Sequence, residues 1–151
     1  MFELLTEAAG KALLRAQEEA LRLDHDYTDG AHIVLGLLGG KDDPAAEVLR
    51  GFGVDLERGR VWMAVRVGRG SRVRSSVRRP QFTLRAKKAI ELAVREALVT
   101  RQEEHTGTGL ILLELLREGE AAAMRMLIEL GAQPEMIRLR LLRMQEAVRP
   151  T

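Results

Sequence analysis

Apolar residues recur every three or four positions along most of the chain, in short stretches separated by turn residues. Over residues 3–23, Leu4, Leu5, Ala8, Ala9, Ala12, Leu13, Ala16 and Ala20 fall on one face, which predicts a helix with an alanine-rich contact surface. Asp24-His25-Asp26 breaks the pattern. Thr28 or Asp29 can cap a second helix by accepting a hydrogen bond from a free backbone N–H; Ile33, Val34, Leu37 and Leu38 give it a buried face, and Gly39-Gly40 ends it. Asp43-Pro44 places a cap before a proline at the first helical position and opens a third helix, with Ala45, Val48 and Leu49 inward. Asp55 caps a fourth, which carries Leu56, Val61, Trp62 and Val65 and fades at Gly68.

Residues 69–81 lose the pattern. They hold five arginines, three serines and a proline, a composition that argues against a packed helix and reads as a linker. Four more helices follow. Thr83 caps the fifth, Gly107-Thr108-Gly109 precedes a sixth at 110–116, and a seventh spans 120–130. Gln133-Pro134 opens the eighth, with Met136, Ile137, Leu141, Leu142 and Met144 as core candidates. Period-two alternation never runs beyond a few residues, so a parallel or mixed sheet is not expected.

The second set of helices repeats the first. With Thr83 laid on Thr6, Ala86 falls on Ala9, Lys88 on Lys11, Ala89 on Ala12 and Ala93 on Ala16. After one residue of slippage, Ile33 to Leu38 answer Ile111 to Leu116, and Gly53 answers Gly131. A period of about 77–78 residues seen twice is a duplicated module, since solenoid repeats run at roughly 20–50. The expected architecture is all-α: a pseudo-twofold pair of four-helix modules in a single domain over 1–151, with repeat one at 1–68, the basic linker at 69–81 and repeat two at 82–148. Each half alone has little surface to bury, and packing the two together closes a shared core.

Composition sharpens this. Hydrophobic residues make up 46% and aromatics 3%, so the core is built from Leu, Ala, Val, Ile and Met, a bias toward helix. There is no cysteine, which excludes disulfides, thiolate metal sites and cysteine nucleophiles. The opening MFELLTEA places acids where a signal peptide needs a basic segment, and no apolar run reaches membrane-spanning length; a soluble, cytoplasmic protein without a membrane partner is the expectation. Net charge is +2 but uneven: residues 58–90 hold eleven Arg or Lys and no acid. That stretch reads first as a solvated linker and, alternatively, as a contact for nucleic acid through Arg69, Arg72, Arg74, Arg78 and Arg79, or for an acidic partner.

Candidate chemistry is sparse. His25, His32 and His105 fit no metal spacing; His25 and His105 fall in hydrophilic loops, and His32 reads as a satisfied structural histidine. No phosphate-cradling loop is present, Ser71, Ser75 and Ser76 lack a nucleophile context, and no cofactor, metal site or catalytic set is indicated. The aromatics Phe2 and Phe82 stand out. Phe82, just before the Thr83 cap, reads either as a hydrophobic staple or, with Phe2, as a platform for a partner's peptide or helix.

Two copies of a four-helix module carrying AQEEAL (16–21), HIVLGLL (32–38), FTLRAKKAIELA (82–93) and ILLELLREGE (111–120) resemble the Clp N-terminal domain, the substrate- and adaptor-binding cap of the Clp AAA+ unfoldases. The likeness covers residues 2 to about 147 and points to the ClpC type of Gram-positive bacteria and actinobacteria, as a free-standing relative or the excised end of a longer protein. It implies an all-helical pseudo-dimer without catalysis of its own. The implied partners are Clp unfoldase components, adaptor or substrate proteins and cyclic peptides.

Two sites follow from the resemblance. ClpC-type repeats carry a GTEH segment whose threonine and glutamate serve a phosphoarginine pocket. Here the first copy reads Asp29-Gly30-Ala31-His32 and the second Gly107-Thr108-Gly109-Leu110, so Gly30, Ala31 and Gly109 have replaced pocket residues and Thr108 alone is kept. Without either carboxylate the guanidinium loses its charged partner, and Asp29 adds repulsion near the expected phosphate. Actinobacterial ClpC domains also bind cyclic-peptide antibiotics in a groove between the first and fifth helices. Phe2 and Phe82 match its phenylalanines, Lys87 and Glu91 its polar neighbours, Arg79 a position often held by histidine, and Leu13 an apolar wall. The implied role is a divergent binding domain that sequesters cyclic peptides or docks another protein and regulates Clp proteolysis.

Overall fold

The computed structural model describes residues 2–71 and 78–148. Among them, eight α-helices run in chain order: α1 Glu7–Arg22, α2 Gly30–Leu38, α3 Pro44–Gly51, α4 Leu56–Trp62, α5 Leu84–Arg95, α6 Thr108–Glu118, α7 Ala121–Glu129 and α8 Pro134–Val148. The two central helices, α2 and α6, are buried almost throughout, because apolar residues surround them on every side.

The duplication is visible in the caps. Thr6 accepts a hydrogen bond from Ala9 N–H at 3.1 Å and Thr83 from Ala86 N–H at 3.2 Å, each starting the first helix of its half. Behind those caps, Ala9, Ala12 and Ala16 match Ala86, Ala89 and Ala93, all fully buried. After the third helix of each half the chain turns through a left-handed glycine, Gly53 (φ +82°) and Gly131 (φ +91°), a conformation in which a Cβ would be strained.

The halves are joined by exchanged strand segments, which corrects the expectation of no parallel pairing. β1 (Tyr27–Thr28) pairs in parallel with β2 (Gln81–Phe82), and Leu5 bridges Thr106 in parallel. In both crossings the residue before a first-helix cap meets the residue before a second helix of the other half: Thr83 N–H donates to the Thr28 carbonyl at 3.0 Å, and Thr6 N–H to the Thr106 carbonyl at 2.9 Å. Two-residue strands are too short to show an alternating pattern in the sequence. The same crossing moves the start of α1. Phe2–Leu4 form a 3-10 turn and Leu5 is spent on the bridge, so the helix begins at Glu7, not at residue 3, and Ala8 is exposed.

Other expectations shift for local reasons. Asp29 caps α2, accepting from Ala31 and His32 N–H, while the Thr28 hydroxyl donates to the Pro80 carbonyl at 2.8 Å. After α4 the chain continues as a π-helical turn, Met63–Val67, closed by Gly68 N–H to Met63 carbonyl at 2.8 Å. Met63 turns inward there and Val65 is exposed, as is Val61 within α4, against their expected burial. In α8, Ile137 and Leu141 are buried but Met136 is exposed.

His25 is not a solvated loop residue: it is 2% exposed. His32 Nδ1 lies 3.0 Å from both the Asp29 N–H and the Asp29 carboxylate Oδ1, and His32 Nε2–H donates to His25 Nδ1 at 2.8 Å. His25 Nε2–H then donates to the Gly68 carbonyl at 2.7 Å. Every ring nitrogen is used, and the chain leaving the first half is fastened to the 23–28 turn. Gly70 N–H to Leu23 carbonyl (2.7 Å) and Arg69 to Asp24 (2.7 Å) tighten the same junction.

The second half closes over the first through α4 and α7. Arg58 donates to the carbonyls of Gly53 and Leu130, ending a helix in each half, and Trp62 Nε1 donates to Glu129 at 3.1 Å. Among the described residues no helix is long and apolar enough to cross a membrane.

Candidate functional site

The residues expected to form a groove lie around the strand crossings. Phe2, 49% exposed, belongs to the 3-10 turn whose carbonyl accepts from Leu5 N–H, beside the Leu5–Thr106 bridge. Phe82 lies in β2 at the other crossing, half-buried against the core. The Pro80 carbonyl accepts from Gln17 Nε2 of α1 at 3.0 Å as well as from Thr28, so the segment carrying Arg79 and Phe82 is held against the first half. Arg79, Lys87 and Glu91 are exposed, and Leu84 on the first turn of α5 is 86% exposed. Leu13 is corrected: at 1% exposure it faces the shared core and presents no wall to a ligand. The structure holds the Pro80 carbonyl to α1, pairs Phe82 with Thr28 of β1, and places Phe2 at the symmetry-related crossing.

Gly30, Ala31, Thr108 and Gly109 have unlike surroundings. In the second half, the Thr108 hydroxyl donates to both carboxylate oxygens of Asp43, the α3 cap of the first half, at 2.7 and 2.8 Å. Gly107 caps α6 with backbone alone, and neither Gly107 nor Gly109 has a neighbour where a Cβ would stand. They open onto a cleft of about 980 Å³ whose walls include Thr6, Pro44, Arg101, Leu141 and Met144. In the first half the same place is filled. Ala31 is fully buried, and the Glu120 carboxyl, the α7 cap of the second half, occupies the space a Gly30 side chain would need. Asp43–Thr108 and Glu120–Gly30 are therefore symmetry mates, with the long acid set against the missing side chain.

The electrostatics follow from this packing. Burial works against the Asp29 carboxylate, but the His32 ring and the Ala31 and His32 N–H groups outweigh it and hold Asp29 below the usual carboxylate range. Burial pushes Glu120 up, with the charge of Asp29 adding to it and the N–H groups of Ala122, Ala123 and Gly30 opposing in part. Glu120 Oε1 accepts from Ala122 N–H at 2.7 Å, while Oε2 is buried with no partner in hydrogen-bonding geometry. Burial also raises Glu114, which Arg117 at 3.3 Å counteracts and Glu96 and Glu118 reinforce. Glu114 stands where the first half has Gly36. Aligning the two repeats exposes that exchange, but only packing shows that the carboxyl is buried.

Arg69 of the basic stretch is paired with Asp24, while Arg72 and Arg74 lie outside the described residues. Among the described residues no group of three or more His, Asp or Glu is placed to hold a metal ion.

Comparison with known proteins agrees with the geometry. The family model described as the Clp repeat (R) N-terminal domain matches residues 4–130. The chain is 45% identical over 146 residues to the chloroplast chaperone ClpC1 of Oryza sativa and equally to its counterpart in Arabidopsis thaliana, covering 95% of this chain and 15% of each relative. It thus spans about 15% of the length of these relatives. They are plant chloroplast proteins, whereas the sequence pattern pointed to ClpC of Gram-positive bacteria and actinobacteria. Among solved structures, the N-terminal domain of ClpD from Arabidopsis thaliana superposes with a TM-score of 0.78 at 26% identity, over 96% of this chain and 99% of that one. The ClpV N-domain of Vibrio cholerae shares the fold alone, with a TM-score of 0.67 at 17% identity over 94% of this chain and 85% of that one. The chain belongs to the Clp repeat N-terminal domain family.

Proposed function

We propose that this chain is a non-catalytic docking module that captures protein or peptide segments, in the manner of the adaptor- and substrate-binding domains of its family. The supporting observation is the apolar surface left at the strand crossings. Phe2 and Leu84 are exposed at 49% and 86%, and Phe82 is half-buried immediately before the cap of the helix that carries Leu84. Among the described residues Phe2 and Leu84 stay largely uncovered, and a partner's apolar side chains would bury them. Lys87 and Glu91 on the exposed face of α5 and Arg79 beside Phe82 provide a polar rim. Cyclic peptides are the finer reading of this groove, and sequestering them or regulating Clp proteolysis is the role it suits.

The test is calorimetric titration with a ClpC-targeting cyclic peptide. Wild type binds, and the Phe2→Ala/Phe82→Ala double variant binds at least about 30-fold more weakly, as loss of an interface aromatic worth roughly 2 kcal/mol requires. A folded wild type that does not bind overturns the cyclic-peptide reading.

A further inference from the structure

We propose that Glu120 is a proton-operated latch between the two halves: protonated, it holds α7 against the first turn of α2, and deprotonation loosens that contact. The inference rests on a comparison within the molecule. At one of two symmetry-related positions, Thr108 gives both oxygens of Asp43 a donor. At the other, Gly30 has no side chain to give, and the longer acid reaches into the vacated space. Glu120 is 5% exposed, and its Oε2 meets no donor in hydrogen-bonding geometry. A buried carboxyl oxygen without a donor is penalised less when neutral than when charged.

The surroundings reinforce the direction. Asp29 faces Glu120 from the head of α2 and repels its charged form. His32 is turned toward Asp29 and His25. On the other elements packed on α7, Arg66 after α4 pairs with Glu129 at the far end of the helix, Glu118 of α6 with Lys88, and Arg138 of α8 with Glu135. Among the described residues no cation is bonded to the Glu120 carboxyl. The Gly30 and Ala123 N–H groups favour its charged form, but less than burial disfavours it.

The sign follows from linkage. The folded carboxyl titrates higher than an ordinary glutamate, so its contribution is fully present below about pH 4.3, the unperturbed value. It is lost as pH rises through the folded value. The latch is closed in acid and slack in base, the reverse of a surface salt bridge. Glu114 shifts the same way, so the latch has to be read locally.

The decisive measurement is a ¹³C NMR titration of the glutamate carboxyls in the whole chain. Alongside it, amide hydrogen exchange is followed at residues 30–33 and 121–124, in wild type and Glu120→Gln. Glu120 is expected to titrate above the ordinary range. Protection of those amides, corrected for intrinsic rates, falls up to tenfold per pH unit as it does so. Glu120→Gln removes that pH dependence. A second variant, Gly30→Ser, puts a side chain into the space the carboxyl occupies, displaces Glu120 from its buried place, and is expected to bring the titration down toward the ordinary range and remove the pH dependence of protection. An ordinary Glu120 titration overturns the latch, as does an unchanged pH dependence in Glu120→Gln or an unchanged titration in Gly30→Ser.

Discussion

Gly36→Ala decides how closely the first half is packed. Within a helix this exchange normally gains about 0.5–1 kcal/mol, because alanine loses less backbone freedom on folding. Here the new methyl overlaps the Ala12 carbonyl oxygen and lies 2.8 Å from Ala16 N and 3.1 Å from Ala16 Cα. These are backbone atoms of α1, and no rotamer relieves the contact. Carbon contacts are at ease near 3.5–4.0 Å, and the overlap with the Ala12 oxygen is the tightest, so α1 must withdraw by at least about 1 Å, which forfeits about half of each dispersion contact along the seam. Ala9, Ala12, Leu13, Ala16 and Ala20 share that loss, and the Arg15 hydrogen bond to the Gly36 carbonyl (2.9 Å) is disturbed as well. Overpacking of this kind costs about 1–3 kcal/mol, occasionally more, and outweighs the propensity gain. The net expectation is a loss of about 2 kcal/mol, read as a fall in Tm of roughly 4–8 °C. The internal control is Gly10→Ala on α1, where nothing lies within 4 Å of the added methyl, and a gain of about 0.5–1 kcal/mol is expected. Thermal and urea denaturation followed by circular dichroism measure both. If Gly36→Ala is as stable as wild type, or gains as Gly10→Ala does, the reasoning about the α1–α2 contact is refuted.

The remaining predictions concern the cleft and the surfaces. Thr108→Val keeps the shape but leaves Asp43 buried with only the Ala46 N–H at 3.4 Å; a loss of about 1.5–3 kcal/mol is expected in urea denaturation, and an effect below about 0.5 kcal/mol would show that Asp43 finds another donor. Phosphoarginine is expected to bind weakly or not at all by calorimetry, since Ala31 and Gly109 offer no carboxylate and the Thr108 hydroxyl is committed to Asp43; tight binding would refute that account. The loss of cyclic-peptide affinity in the Phe2/Phe82 variant and the titration of Glu120 complete the set.

Much of the fold is legible in the chain because it is local. Helix spacing, the Thr83, Asp43 and Asp55 caps and the buried alanine faces depend on residues within a turn or two of one another. The duplication is legible for the same reason, since two segments built by the same local rules can be compared letter by letter. The Gly36–Glu114 exchange shows where reading stops. Alignment finds the difference, but that a glycine admits a neighbouring backbone in one half while a carboxyl is buried in the other depends on which helix lies opposite.

What the sequence by itself determined is the set of helices, most of their inward faces, and the repeat. Tertiary structure alone decided the rest. It set the parallel crossings at Leu5–Thr106 and Thr28–Phe82, the burial of His25 beneath Gly68, and the place of Leu13 in the core. It also left a cleft open at Gly109 and filled the matching place at Gly30 with Glu120. Each of these is settled by a group from a distant part of the chain. Burial, orphaned hydrogen-bonding atoms and displaced titration are properties of what stands opposite a residue, and sequence spacing carries no record of that until the two halves close.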